Sequence, residues 1–308
     1  MNENIYDLLI IGGGPGGVAA GVYAARKKIK TVLISEHFRG QSAGSSEIQN
    51  WIGSTSISGE ELAKNLENHL KSYSKDIDIK EKEKVIDIAK ENDVFLITTN
   101  KAKYIAKTVL ITTGSVRRKL QVKGAEEFEG KGITYCATCD APMFGDMDVV
   151  VVGGGNSAFE AVSQLLAYAK NITIIQRSEF RAEPIMIQKI LSNPKVKGIT
   201  NVDLLEIKGD KFVKAITYTD KKTGEIFELP TNGIFVEIGA NPSIEFLKDN
   251  LVQLDDSAQI IIDSKTQKTS TPGIWAAGDC TDGLYKQNNI AVGDAVKAIE
   301  DIYKYLKS

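Results

Sequence analysis

The chain has 308 residues, room for about two domains at roughly 150 residues each. Lys+Arg total 38 and Asp+Glu 40, a net charge of −2, which speaks against a general nucleic-acid binder. With 42% hydrophobic and 25% charged residues, and no apolar run near the 18 residues of a membrane span, it reads as a soluble globular protein outside the membrane. The first residues, Met1-Asn2-Glu3-Asn4, carry an acid where a signal peptide is basic, so the expected compartment is the cytoplasm.

Taken in chain order, Ile5 to Ile11 is a short branched apolar run that reads as a buried strand. Glycines 12 to 14, 16 and 17 follow, then an Ala-rich helix from Val18 to Arg26 and a strand from Lys30 to Ser35. Gly12-x-Gly14-x-x-Gly17 therefore sits between a strand and a helix, the context in which backbone can approach a pyrophosphate. Ser35 and Glu36 end the second strand, where a carboxylate can accept both ribose hydroxyls. Ser58-Gly59-Glu60-Glu61 fits a capping box and opens a helix to about Tyr73. From Ile77 to Thr113 the pattern is strand-like, ending on an apolar run from Thr108 to Thr112.

A second β-α-β unit starts at Asp148: strand Val149 to Val152, helix Asn156 to Ala169, strand Ile172 to Ile175. Its turn, Gly153-x-Gly155-Asn156-Ser157-Ala158, repeats the fingerprint with Ala third. No acid closes its second strand; Gln176, Arg177 and Arg181 stand there. Guanidinium groups suit a 2′-phosphate, which favours NADPH, although two solvated surface arginines are the plainer alternative. Short strands are expected from there to Gly239, a strand at Ile274 to Ala277, and a final amphipathic helix from Gln287 to Leu306. The architecture is thus α/β, with two Rossmann-like dinucleotide-binding units beginning roughly 140 residues apart.

Between those units lies Cys136-Ala137-Thr138-Cys139-Asp140. A C-x-x-C can form a reducible disulfide, and the neighbouring carboxylate can give and take protons as thiolates form. Half of a zinc site is the alternative, but only Cys280, His37 and His69 remain as further usual ligands, and no second C-x-x-C exists. A third possibility is an inactive structural pair. No metal is expected, and Cys280 reads as a small buried residue beside Asp279.

Two dinucleotide turns with Cys-Ala-Thr-Cys-Asp between them resemble the low-molecular-weight thioredoxin reductases and the flavoprotein domain of alkyl hydroperoxide reductase. Gly40-Gln41 resembles the end of the family's flavin loop, and Asn50 its Glu-x-x-Asn-aromatic stretch, here Glu47 to Trp51. Thr113-Gly114, Gly239 with Pro242, Gly278-Asp279, Lys286-Gln287 and Ala291-x-Gly293 resemble further family motifs. The resemblance implies FAD on the first unit, held at Gly12, Gly14, Pro15, Gly17, Ser35, Glu36, Gly40, Gln41, Asn50, Thr113, Gly114, Gly278, Asp279, Lys286, Gln287 and Ala291. It implies NADPH on the second, at Gly153, Gly155, Asn156, Ser157, Ala158, Arg177, Arg181 and Gly239.

The same resemblance implies an FAD domain of residues 1–116 plus 246–308, with residues 117–245 inserted as the NAD(P)H domain, and a homodimer. Its chemistry would run from NADPH through FAD and the Cys136–Cys139 pair to thioredoxin or a similar protein, with Asp140 managing protons. Connectors near Arg117 and Ser243 would be the hinges. The family's thioredoxin-like N-terminal extension is not seen in the sequence, so a separate acceptor protein is expected. The chain departs from the pattern at Gln176, where NADPH-using members carry an arginine. Losing that contact costs on the order of 1.5–3 kcal/mol and leaves NADH or ferredoxin as alternative electron donors. Arg39 replaces a loop glycine and Ala141 the glycine after Cys-Asp. A non-catalytic flavin redox sensor is the reading from a different functional class.

Overall fold

The computed structural model describes residues 5–45, 47–248 and 251–308; the N-terminal Met1 to Asn4 read above lie outside them. In chain order the elements are β1 (Tyr6–Ile11), α1 (Pro15–Arg26), β2 (Thr31–Ser35), α2 (Gly59–Lys71), β3 (Asp78–Glu81), β4 (Val85–Glu91), β5 (Val94–Thr99), β6 (Lys103–Ile111) and β7 (Ser115–Arg117). There follow β8 (Ile133–Thr134), α3 (Ala137–Asp140), β9 (Asp148–Val152), α4 (Asn156–Leu165), β10 (Asn171–Ile175), α5 (Pro184–Leu191), β11 (Val196–Ile199), β12 (Val202–Gly209), β13 (Val213–Asp220), β14 (Ile226–Pro230), β15 (Gly233–Val236), β16 (Ala240–Pro242), β17 (Ile274–Ala276) and α6 (Asn288–Tyr305).

Two units form, residues 1–116 with 241–308, and residues 117–240. In the first, the sheet runs β3-β2-β1-β6-β5-β4, with β17 also on β6. β1 pairs in parallel with β2 on one side and β6 on the other, so the strand order reverses at β1. Strands β1 and β2 are almost wholly buried apolar, as a sheet covered on both faces requires. One face packs a cluster including Leu9, Ile34, Phe95 and Ile111; the other packs α1 and α6 through Val18, Ala24, Trp275 and Ile299. The N-cap half of the expected capping box forms at α2: Ser58 Oγ accepts the Glu61 N–H at 3.2 Å.

The second unit has a parallel sheet β11-β10-β9-β15-β8 and an antiparallel sheet β12-β13-β14. Here the order reverses at β9, between β10 and β15. Its layers are held by Val151, Phe159, Ile174 and Phe235 on one side and by Val150, Ile216 and Ile234 on the other. The sequence pattern predicts only strands between Ile175 and Gly239, yet α5 forms at Pro184–Leu191. Pro184 sits at its first turn, where the missing N–H costs nothing. The helix expected to reach Ala169 stops at Leu165 as a regular element, and the chain turns through Ala169 N–H on Leu165 O.

Candidate functional site

Both glycine turns leave a helix N-terminus open. The N-cap of α1 is Gly14 and that of α4 is Gly155, and neither helix has a side-chain cap. A Cβ built on either glycine would meet nothing within 4 Å. Free N–H groups above open space form a cradle that suits a phosphate-bearing group. Elsewhere each turn is tight: a Cβ on Gly17 would lie 1.9 Å from Gly12 O, and one on Gly153 would lie 2.2 Å from Glu237 O. Both turns lie at the carboxyl ends of strands, where the strand order reverses.

In the first unit the expected flavin residues converge from distant parts of the chain. Gln41 Nε2 donates to Asp279 Oδ2 at 3.2 Å and to Ser115 Oγ at 3.0 Å. Asn50 Nδ2 donates to Gln287 Oε1 at 3.2 Å. Gly16 and Gly278 each approach Ala291 near the start of α6, with would-be Cβ contacts of 3.2 and 3.1 Å. Helix α6, whose N-cap is Gln287, also lacks a side-chain cap. Among the described residues the buried Thr113 Oγ1 has no nitrogen or oxygen hydrogen-bond partner, a polar atom that a bound cofactor can satisfy. Ser35 Oγ instead donates to His37 O, and exposed Glu36 faces Lys84 at 3.8 Å. Lys286 Nζ donates to Thr281 O, and burial holds its pKa below the usual lysine range. These residues fit FAD.

In the second unit Asn156 Oδ1 accepts the Glu183 N–H at 3.0 Å, and Arg181 N–H donates to Gly154 O at 2.6 Å. Arg177, Arg181 and Ser157 are exposed, and Ala158 is fully buried beneath the turn. Gln176 points inward: it is buried, its Oε1 accepts the Arg177 N–H at 3.0 Å, and its side chain lies against Gly154. Gly239 adopts φ +94° and accepts the Arg118 N–H at 3.0 Å.

Cys136 and Cys139 are joined as a disulfide. Cys136 is the N-cap of the short α3, and its Sγ accepts the Cys139 N–H at 3.2 Å. That donor favours negative charge on Cys136 once the bond opens. Asp140 is half-buried, and desolvation raises its pKa. The Thr134 hydroxyl, which donates to Asp140 Oδ2, and the charge of Arg117 pull it back. Cys280 is the free, fully buried thiol the sequence suggested, its pKa pushed up to about 11 by burial.

Sequence reasoning missed Thr134 and the side-chain role of Arg117. It also missed Glu237, whose pKa desolvation pushes up to about 7 while Arg117 lowers it and Glu160 raises it. Thr134 precedes the first cysteine by two residues and was open to being noticed as a local hydroxyl. Arg117 and Glu237 had no local signal, since their significance comes from packing.

Two reversed sheets, each with an open glycine turn, and a C-x-x-C disulfide define a two-nucleotide redox protein. The chain belongs to the pyridine nucleotide-disulphide oxidoreductase family, whose model matches residues 6–295. Membership implies FAD and a pyridine nucleotide. The chain is 38% identical over 302 residues to "NADH dehydrogenase" of Bacillus subtilis, covering 98% of this chain and 58% of that protein. It is 40% identical over 299 residues to an alkyl hydroperoxide reductase protein of Pseudomonas putida, covering 96% and 57%. It thus spans somewhat over half the length of these curated relatives. Among solved structures it resembles thioredoxin reductase from Streptococcus pyogenes (TM-score 0.92, 35% identity, 99% of each chain). It also resembles thioredoxin reductase from Giardia duodenalis (TM-score 0.94, 32% identity, 99% and 100%). No helix among the described residues is long and apolar enough to cross a membrane.

Proposed function

We propose that the chain is an FAD-dependent disulfide reductase that passes electrons from NADPH through Cys136–Cys139 to the disulfide of thioredoxin or a thioredoxin-like protein. The observation that carries this reading is the Cys136–Cys139 disulfide beside a half-buried Asp140, in a chain with two open dinucleotide turns. The division into residues 1–116 with 241–308 and residues 117–240 supports an FAD domain with an inserted NADPH domain. The likeness to thioredoxin reductases supports a thioredoxin-type partner.

FAD, when bound, supplies the two-electron link between a nicotinamide hydride and a disulfide. The chain's own residues do the rest. In the reduced protein the Cys136 thiolate attacks one sulfur of the partner's disulfide. A Cys136–partner bond forms, the partner's bond breaks, and its other sulfur leaves as a thiolate. Cys139 then attacks Cys136, restoring Cys136–Cys139 and releasing the partner as a dithiol. Asp140, next to Cys139 and with a pKa that burial raises, is placed to exchange protons with the cysteine thiols and a leaving thiolate.

Gln176 favours a second reading in which NADH, or reduced ferredoxin, feeds the same dithiol chemistry. Its side chain is buried against Gly154 and is an uncharged amide at the position where NADPH-using relatives carry a cation. Anaerobic titration of the purified protein decides between donors. Stoichiometric flavin bleaching by micromolar NADPH, with NADH far weaker, is expected. Replacing Arg177 and Arg181 with Gln should remove most of that preference, about ten- to a hundredfold in apparent NADPH affinity. Bleaching by NADH alone, or only by ferredoxin, would refute the NADPH assignment. An unchanged preference in the double variant would leave the arginines as surface charge.

A further inference from the structure

A narrow cavity borders the first glycine turn, lined by Gly13, Gly14 and Pro15 on one side, by Arg39 and Ser42 on another, and closed by Leu62 of α2. Arg39 is the single charged residue among the described residues that line it. The chain on both sides of Arg39 is pinned to the turn. Before it, Phe38 is buried, and a Cβ on Gly13 would lie 2.7 Å from the Phe38 ring and 2.8 Å from His37 O. After it, Gly40 takes φ +56°, and a Cβ there would lie 3.3 Å from Pro15 Cδ and 3.7 Å from Gly14 Cα. Arg39 is thereby fixed at the cavity rim, beside the open start of α1.

Its guanidinium has no hydrogen bond or ion pair among the described residues, and the adjacent acid, Glu36, faces Lys84 instead. A planar five-donor cation held without a counter-ion beside a phosphate cradle matches a pyrophosphate in charge and shape. We propose that Arg39 binds the pyrophosphate of the flavin dinucleotide and makes its retention depend on charge. The inference rests on the reading of the first unit as an FAD site. It adds a side-chain cation to a glycine turn that otherwise offers backbone N–H groups.

Dissociation of FAD from the holoprotein tests it, followed by the recovery of flavin fluorescence on dilution at low and high salt. Wild-type affinity should fall as salt rises. Arg39→Gln should weaken FAD about ten- to a hundredfold and flatten the salt response. Arg39→Lys should keep most of both, because a point charge still reaches a phosphate. Saturating FAD should give all three proteins similar melting temperatures, since Arg39 is exposed and unpaired. The proposal is overturned if wild-type affinity ignores salt, if Arg39→Gln behaves as wild type, or if Arg39→Lys loses as much as Arg39→Gln. A wild-type protein that holds FMN or no flavin would overturn the FAD reading itself.

Discussion

Glu237 follows β15 directly, and its backbone closes the glycine turn of the second unit: its N–H donates to Val152 O at 2.8 Å. Burial raises its pKa from the ordinary 4.5 to about 7, against the pull of Arg117 and with the push of Glu160. The folded protein therefore holds a proton there, between about pH 4.5 and 7, that the unfolded chain has released. Stability contributed by this group falls as pH rises through that window. Glu237→Gln keeps the shape without the charge. It should match wild type near pH 4 and be more stable above pH 7, by on the order of 1–3 kcal/mol. Urea melts across that range measure the difference, and one that does not change with pH would contradict the assignment. Asp140 is raised by the same cause and answers to the same Arg117, so the two acids share one cation.

At the scale of elements, the β1–α1–β2 and β9–α4–β10 units were legible because their information is local. A branched run, a glycine turn and a helix follow one another within about 30 residues. Gly17→Ala tests how closely that turn is built. Its Cβ would lie 1.9 Å from Gly12 O and 2.9 Å from Thr112 Oγ1, so backbone must move. A loss of about 2–4 kcal/mol is expected, with weakened flavin retention; a variant as stable as wild type would mean that the turn is loose. Helix α5 was not legible. Its eight residues, Pro184–Leu191, contain three isoleucines whose branching reads as strand, and its helical face buries fully only at Ile190. The contacts Gln41–Asp279 and Asn50–Gln287 join residues 238 and 237 apart, which no local pattern announces. Here the family motifs supplied the residues, and the fold supplied the meeting. Arg39 and Gln176 were visible as departures. Their meaning came from position: Arg39 at a cavity rim, Gln176 folded beneath Gly154.

As a whole molecule, the chain divides its chemistry between two units, each with its own sheet and apolar core. The first carries the proposed flavin residues on a sheet that β17 extends and α6 covers, both from the end of the chain. The second carries the nucleotide turn, the cysteine pair and Asp140 within residues 117–240. The chain crosses from one to the other at β7 and returns at β16. In the proposed function, electrons leave this molecule through Cys136 while Cys139 resolves. The most direct measurement incubates NADPH-reduced protein with oxidised thioredoxin and compares wild type, Cys139→Ser and Cys136→Ser. Wild type should turn over. Cys139→Ser should stop with thioredoxin trapped in a mixed disulfide, and Cys136→Ser should trap none. Turnover that survives either substitution, or trapping by Cys136→Ser in place of Cys139→Ser, would contradict the account.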